Sequence, residues 1–246
     1  MNKEQRAILY GLALGDGHIS YRTRYKDGKY RYEQAELIIG HGPKQKEYIE
    51  YKADLILNIF GGKRPKVSET KHTLKATGKT YKGFRIAKTN PYFRQMHKKL
   101  YRENKTKSIT GEVLSFCNAQ TLALWYMDDG SILANKNKKG EVTSLNFRIC
   151  TQFVDEDEAK EVVSWLNKTF GIKAKHFKSK GKFDIGGATE ATLFLVSVVQ
   201  DFIHPSMAYK ILPAMRFVFR KSARHPNFRV DDDIVQSLGK PEEVEV

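Results

Sequence analysis

An internal duplication constrains this chain more than any other feature of its sequence. Residues 9–17 read LYGLALGDG and residues 122–130 read LALWYMDDG, and both are helix patterns of apolar and small residues that end in Asp-Gly. The two aspartates, Asp16 and Asp129, lie 113 residues apart in a chain of 246 residues. The sequence therefore predicts two similar halves.

Helix signals repeat at a similar offset. A helix is predicted over 43–60, because Pro43 suits the first turn and Gly61-Gly62 ends the pattern. Another is predicted over 155–170, where four acidic residues suit the positive end of a helix and Gly171 ends it. Further helices are predicted over 91–99 and 189–202.

Four segments have the turn chemistry of β-hairpins: 18–40, 63–88, 131–151 and 172–187. Together they hold 23 Lys and Arg against 6 Asp and Glu, whereas the rest of the chain holds 20 against 22. The formal net charge of +15 therefore lies in the hairpins. One such hairpin could be a solvated edge that discourages aggregation, but four favour a surface that binds nucleic-acid phosphates.

The two aspartates are unusual in their position. The C-terminal end of a helix already carries partial negative charge, so an aspartate there needs a compensating cation. The small residues Gly11, Ala13 and Gly15 would let the two helices pack closely and bring Asp16 and Asp129 together. Converging carboxylates need raised pKa values or a metal, and Mg²⁺ in such a site can hydrolyse phosphodiesters. The alternative is a pair of polar turns.

Two lysines occupy matching places in the halves. Lys107 precedes Ser-Ile-Thr and Lys210 precedes Ile-Leu-Pro, 91 and 81 residues beyond the respective aspartates. Each is a candidate for orienting an attacking water or neutralising a transition state.

These segments resemble the two signature helices of the LAGLIDADG homing endonucleases, in the single-chain branch that carries two motifs. The resemblance is strongest at 11–17 and 127–130, residues 207–213 resemble the family's second lysine segment, and the similarity spans roughly residues 5 to 215. Gly15 stands where the first motif usually has an acid, and Leu124-Trp125 replaces the usual small pair of the second.

The resemblance implies an α+β fold with two pseudo-symmetric halves. Each half would have two β-hairpins forming a saddle-shaped antiparallel sheet backed by helices, with the motif helices packed at the centre. The expected division is an N-terminal half at 1–105, a linker at 106–118, a C-terminal half at 119–222 and an acidic tail at 223–246. The chain is expected to be a monomer.

The resemblance also implies a site-specific endonuclease that cuts double-stranded DNA across the minor groove and leaves 3′ overhangs. Asp16 and Asp129 would bind metal, with help from the backbone carbonyls of Gly15 and Asp128. Lys107 and Lys210 would be the basic active-site residues. Mg²⁺ is the expected cofactor, Mn²⁺ is expected to substitute for it, and Ca²⁺ to support binding without cleavage.

The sheets would lie in the major groove and read a long, asymmetric target. In 172–187 the lysines alternate with small or apolar residues, which is typical of a strand with one basic face. The predicted DNA-binding residues are Arg22, Arg24, Lys26, Arg31, Lys63, Lys71, Lys75, Lys136, Lys138, Arg148, Lys175, Lys178, Lys180 and Lys182.

The alternative is a relative that binds nucleic acid without cutting it, either an intron RNA maturase or a DNA-binding regulator. An intein-embedded enzyme is less favoured because the ends lack its splicing residues, so the chain is expected to be free-standing. Scattered histidines disfavour a zinc or histidine-metal nuclease. The longest apolar run, about seven residues around 193–199, is too short to span a membrane, so a soluble intracellular protein is expected.

Overall fold

A computed structural model describes residues 1–27, 29–73, 77–103, 105–151 and 153–224, with the side chains of 23–26, 29–32, 72 and 221–224 left aside. The first half begins at Asn2, whose side chain accepts a hydrogen bond from the Gln5 backbone N–H in a capping box. Its elements are α1 (Lys3–Leu14), β1 (His18–Lys26), β2 (Lys29–His41), α2 (Lys46–Phe60), β3 (Ser68–Thr73), β4 (Thr80–Thr89) and α3 (Tyr92–Leu100).

A short helix, α4 (Gly111–Leu114), leads into the second half. There the elements are α5 (Ala119–Asp129), β5 (Gly130–Lys136), β6 (Val142–Ile149), α6 (Glu156–Phe170), β7 (Lys175–Ser179), β8 (Lys182–Gly187), α7 (Thr189–Val199) and α8 (Leu212–Arg224). Two 3₁₀ turns, Gln200–Phe202 and Pro205–Lys210, lie between α7 and α8. The predicted helices and hairpins are therefore present in both halves.

The two halves have the same sheet topology. Each contains a four-stranded antiparallel sheet, with strand order β1-β2-β4-β3 in the first and β5-β6-β8-β7 in the second. The predicted α+β fold with two similar halves is confirmed.

One hairpin begins later than its basic segment suggested. The segment 63–88 is predicted to hold a pair of strands, and the first of them, β3, starts only at Ser68. Gly61 and Gly62 have positive φ angles, and Pro65 has no N–H to pair with a neighbouring strand. Lys63 therefore lies in the connection before the sheet.

Each sheet has one apolar and one polar face. In β2 the side chains of Leu37 and Ile39 are buried, and in β6 those of Phe147 and Ile149 are buried. These positions face the helices, because alternate residues of a strand point to opposite faces. The opposite face, which carries residues such as Arg148, is called the outer face below.

The motif helices α1 and α5 pack against each other at the centre. A Cβ atom placed on Gly11 would lie 3.0 Å from the Cβ of Leu124, so a larger residue there would crowd the contact. The Thr121 hydroxyl donates a 2.8 Å hydrogen bond to the Ala7 carbonyl across the same contact. The prediction that small residues bring these helices together is confirmed. Among the described residues, the longest and most apolar helices still fall short of what a bilayer crossing requires.

Candidate active site at the ends of the motif helices

The central helices end side by side, and each end carries one aspartate and one lysine. Asp16 follows α1 and Asp129 is the last residue of α5. Lys107 Nζ donates a 2.8 Å hydrogen bond to the Gly15 carbonyl, and Lys210 Nζ donates a 2.9 Å hydrogen bond to the Asp128 carbonyl. The lysines thus supply the positive charge that the sequence predicted at each helix end.

Neighbouring elements hold both lysines in place. Lys107 pairs with Tyr101 in an isolated antiparallel bridge. Lys210 ends the second 3₁₀ turn, where its carbonyl accepts a 3.0 Å hydrogen bond from the Tyr126 hydroxyl, and its Nζ also donates to the Gly130 carbonyl at 2.9 Å. The two carbonyls that the resemblance offered to a metal, those of Gly15 and Asp128, are therefore hydrogen-bonded to lysines.

The surroundings of the two carboxyl groups disfavour their ionised forms. Burial raises the pKa of Asp129 to about 7, and the charges of Asp16 and Asp128 add to the effect. Burial also raises the pKa of Asp16, with the Asp128 charge as the next contribution. The pKa values of Lys107 and Lys210 are lowered by burial, which outweighs the opposing effect of the carboxylates. A bound cation would relieve this arrangement, because it favours ionised carboxylates.

A third carboxylate lies beneath the other two. The side chain of Asp128 is fully buried, and its two oxygens accept hydrogen bonds of 2.6 and 2.8 Å from Lys52 Nζ. One of these oxygens also accepts a 2.9 Å hydrogen bond from the Asp16 backbone N–H. Gly15 makes room for this contact, since a Cβ there would lie 2.1 Å from Asp128 Oδ2.

Sequence reasoning missed Lys52 and His41. Lys52 interrupts the buried stripe of α2, which also contains Ile49, Ala53 and Ile56, and a lysine in such a stripe is a detectable signal. His41 follows Ile39 at the inward-facing parity of β2, and its Nδ1 lies 3.3 Å from Asp16 Oδ2. Burial and then the Lys52 charge lower the pKa of His41 to about 4, so the ring is neutral at pH 7.

Among the described residues, Asp16, His41 and Asp128 offer ligand atoms within 4.8 Å of one another. Asp128 is poorly suited to a metal, because both of its oxygens already accept hydrogen bonds from the Lys52 ammonium. Asp16 is more accessible, with 42% of its side chain exposed. It also borders a cleft of about 450 Å³ whose lining includes Thr70 and Arg85.

The structure brings together some of the predicted DNA-binding residues on the outer faces. By strand register these are Arg22, Arg148, Lys175 and Lys182. Four other predicted DNA-binding residues lie in connections or at strand ends: Lys63, Lys136, Lys138 and Lys180. Lys75 and the side chains of Arg24, Lys26 and Arg31 fall outside the described residues.

Two predicted residues lie on the opposite side of their sheets. Lys71 pairs with Lys82 in the row next to Phe84, and Lys178 pairs with Phe183, so both point to the helix-covered face. The single basic face expected in 172–187 is therefore wrong, because the spacing from Lys175 to Lys178 is odd and reverses the direction of the side chain.

Arg148 is held rigidly on the outer face. It forms an ion pair with the fully buried carboxylate of Asp184 and donates a 2.7 Å hydrogen bond to the Ser179 hydroxyl. Its guanidinium carbon lies 5.6 Å from the centre of the Phe177 ring. Asp184 also accepts a 3.0 Å hydrogen bond from the Thr151 N–H. These contacts leave the guanidinium little rotational freedom.

Comparison with known proteins identifies related sequences. Residues 6–194 match the sequence model of the LAGLIDADG DNA endonuclease family. Protein RecA of Mycolicibacterium chitae is 26% identical over 223 residues, which cover 88% of this chain and 48% of that protein. This chain thus spans about half the length of that relative. The cytochrome b mRNA maturase bI2 of Debaryomyces hansenii is 26% identical over 215 residues, covering 86% of this chain and 74% of the maturase.

Solved structures share the fold. The homing endonuclease I-WcaI bound to its DNA recognition sequence superimposes with a TM-score of 0.67 at 22% identity, covering 85% of this chain and 86% of that one. I-SmaMI bound to cleaved DNA superimposes with a TM-score of 0.57 at 13% identity, covering 100% of this chain and 98% of that one. At these identities the likeness establishes a shared architecture.

Proposed function

Because the chain belongs to the LAGLIDADG DNA endonuclease family, we propose that it is a site-specific endonuclease that cuts both strands of DNA. The observation that carries this proposal is the repeated helix end, at which an aspartate lies beside a carbonyl-bound lysine. Two such ends match the two phosphodiesters that a double-strand cut must hydrolyse. The names of I-WcaI and I-SmaMI, both bound to DNA, agree with this activity.

Asp16 and Asp129 are the proposed metal ligands, and their raised pKa values fit a site that is completed by a divalent cation. Carboxylate oxygens suit Mg²⁺, with Mn²⁺ as a substitute and Ca²⁺ as an ion that supports binding alone. Such an ion supplies an activated water and neutralises charge on the phosphate oxygens. Gly15 and Asp128 contribute through carbonyls that already orient the lysines.

Lys107 and Lys210 have the second chemical role. Their ammonium groups are fixed by backbone carbonyls next to the aspartates, so they need no rearrangement to meet a phosphate. Fixed donors of this kind stabilise the charge that develops during hydrolysis. Cleavage across the minor groove with 3′ overhangs belongs to the same proposal.

The outer faces are proposed to bind the DNA. Arg22, Lys175 and Lys182 would contact phosphates or base edges, while Arg148, held by Asp184, would present a preset donor. We extend the proposal to the division of the chain into halves at 1–105 and 119–222, a linker at 106–118 and a tail at 223–246, acting as a monomer.

A second candidate function is binding without cleavage. The match to the mRNA maturase of Debaryomyces hansenii favours it, since the name of that relative refers to RNA processing. The same basic outer faces could bind RNA phosphates.

The deciding experiment is cleavage of a randomised duplex DNA library in Mg²⁺ and, separately, in Ca²⁺, followed by sequencing of the ends. We expect cutting at one long site in Mg²⁺ only, with 3′ overhangs. Asp16→Asn and Asp129→Asn should abolish cutting while an unchanged circular dichroism spectrum shows intact folding. Full cleavage by either variant would refute its role as a metal ligand.

Binding measurements complete the test. The affinity of either Asn variant for the selected duplex should fall steeply as salt rises, because several phosphate contacts release counterions. A flat salt response would contradict the basic outer faces. Retention of a duplex or intron RNA without cutting in either ion would establish the second candidate instead.

A further inference from the structure

A buried ion pair joins the two halves of the molecule directly beneath one of the helix ends. Lys52 belongs to α2 of the first half and Asp128 to α5 of the second, and the side chains of both are fully buried. Lys52 Nζ lies 2.6 and 2.8 Å from the two carboxylate oxygens. A charged pair without solvent contact is costly to form and costly to break on one side. A pair formed at this cost in free energy is expected to serve the function of the protein.

Asp128 contacts the backbone of Asp16, and His41 contacts the side chain of Asp16. Asp128 Oδ2 accepts the Asp16 N–H at 2.9 Å, which fixes the chain immediately after α1. His41 Nδ1 lies 3.3 Å from Asp16 Oδ2, and the buried imidazole also approaches Asp128 Oδ1 at 4.0 Å. Asp128 therefore holds Asp16 at its backbone, while the neutral His41 ring packs against the Asp16 carboxylate without a hydrogen bond from either ring nitrogen among the described residues.

The other helix end has uncharged counterparts at these positions. The residue before Asp129 is Asp128 itself, so the counterpart of Asp128 in the first motif is Gly15, which has no side chain. Helices α2 and α6 align with an offset of 110, since Ile49 and Ile56 correspond to the buried Ala159 and Leu166. Lys52 then corresponds to the buried Val162.

Strand register supplies the third counterpart. His18 pairs with Ile38, and Ser131, which occupies the same place after its aspartate, pairs with Arg148. His41, three residues beyond Ile38, therefore corresponds to Thr151, whose hydroxyl donates a 2.6 Å hydrogen bond to a β8 carbonyl. The set of Lys52, Asp128 and His41 is one-sided.

We propose that Lys52, Asp128 and His41 form a positioning set for Asp16 alone, so that the two strands are cut under unequal control. This inference rests on the proposed endonuclease function. Because the helix ends are related by a pseudo-two-fold axis, as are the strands of a duplex, each end faces the phosphodiester of one strand. Loss of the set slows the cut made at the Asp16 end and spares the cut made at the Asp129 end.

The test uses the full chain and its selected duplex, labelled with a different dye on each strand. Lys52→Met alone would leave Asp128 buried and unpaired, so the main variant is Lys52→Met combined with Asp128→Asn, which removes both charges. We expect its rate constant for one strand to fall at least tenfold in Mg²⁺. The rate constant for the other strand should change less than twofold, and nicked duplex should accumulate.

Two further variants keep the result interpretable. Val162→Ala perturbs the counterpart position in α6 and should leave the ratio of the two rate constants unchanged, which separates positioning from general destabilisation. His41→Phe keeps an aromatic ring beside Tyr48, whose ring centroid is 5.0 Å away, but removes the contact between the imidazole nitrogen and Asp16. It should slow the same strand as the double variant and decides the question if the double variant does not fold.

Equal slowing of both strands by the folded variants, or no slowing, would overturn the positioning role while leaving the endonuclease function intact. A wild-type chain that cuts neither strand of any duplex would instead refute the proposed function and this inference with it.

Discussion

The two helix ends look alike from the solvent side and differ underneath. Both present an aspartate next to a lysine that donates to a carbonyl, but the Asp16 end rests on the buried Asp128 and Lys52, whereas the corresponding described positions at the Asp129 end are Gly15 and Val162. The reason is steric. A Cβ on Gly15 would meet Asp128, so the space between the helix ends holds the side chain of only one of the two residues. Two halves with the same fold can therefore carry different side chains at corresponding positions where they meet.

The outer faces differ in the same way. Arg148 of the second sheet is held by Asp184, whereas its counterpart by register in the first sheet is Ile38. Leu133 leaves 66% of its surface exposed on the second sheet. Recognition of an asymmetric target requires different side chains at corresponding positions of the two sheets.

Replacing the active-site lysines should have the largest effect among the changes that leave both aspartates in place. Lys107→Met and Lys210→Met should each slow cleavage by about 10²–10³, equivalent to about 2.7–4 kcal/mol, because each removes a fixed donor. If the helix ends act independently, the two variants should slow opposite strands in a strand-resolved assay. If both variants slowed the same strand, the two helix ends would not act independently. Lys160→Met, on the exposed face of α6, serves as the control and should cut normally.

Much of this architecture could be predicted from the sequence because it depends on local patterns. Capping by Asp155 and the left-handed Gly171 define α6, as expected. The repeated motif identified Asp16 and Asp129 because it is also a local sequence pattern. The contacts of Lys52 could not be predicted, since they require knowing how α2 packs against α5. A lysine within an apolar stripe indicates that its ammonium group has a buried partner, but the pattern does not identify the partner residue.

The pH dependence of stability should be next in size. The folded pKa of Asp129 is about 7, whereas an unfolded aspartate titrates at about 3.9, so the folded state binds more protons between these values. The free energy of unfolding should therefore fall by about 3 kcal/mol as pH rises from about 4 to about 7, and level off about one pH unit above the folded pKa, where the carboxyl group is fully ionised.

Denaturant titrations across pH measure this loss. Asp129→Asn should flatten the dependence more than Asp16→Asn, because the Lys52 charge offsets part of the rise that burial and the Asp128 charge cause in the pKa of Asp16. Mg²⁺ at pH 8 should restore stability to the wild type, since a bound ligand stabilises the folded state. A steeper loss assigned to Asp16 would reverse the electrostatic ranking of the two ends.

The smallest effect expected is a steric one, and it tests the comparison most directly. Gly15→Ala should lower the free energy of unfolding by about 2 kcal/mol, because the new methyl group must displace the buried Asp128 carboxylate. Gly11→Ala, inside α1 one turn before Gly15, is the matched variant. Its Cβ would approach Leu124 at 3.0 Å, and the greater helix propensity of alanine, about 1 kcal/mol, offsets that crowding. Urea unfolding with unchanged m-values measures both. Equal losses would mean that Gly15 serves helix packing like Gly11, and the asymmetry of the helix ends would then have no steric origin.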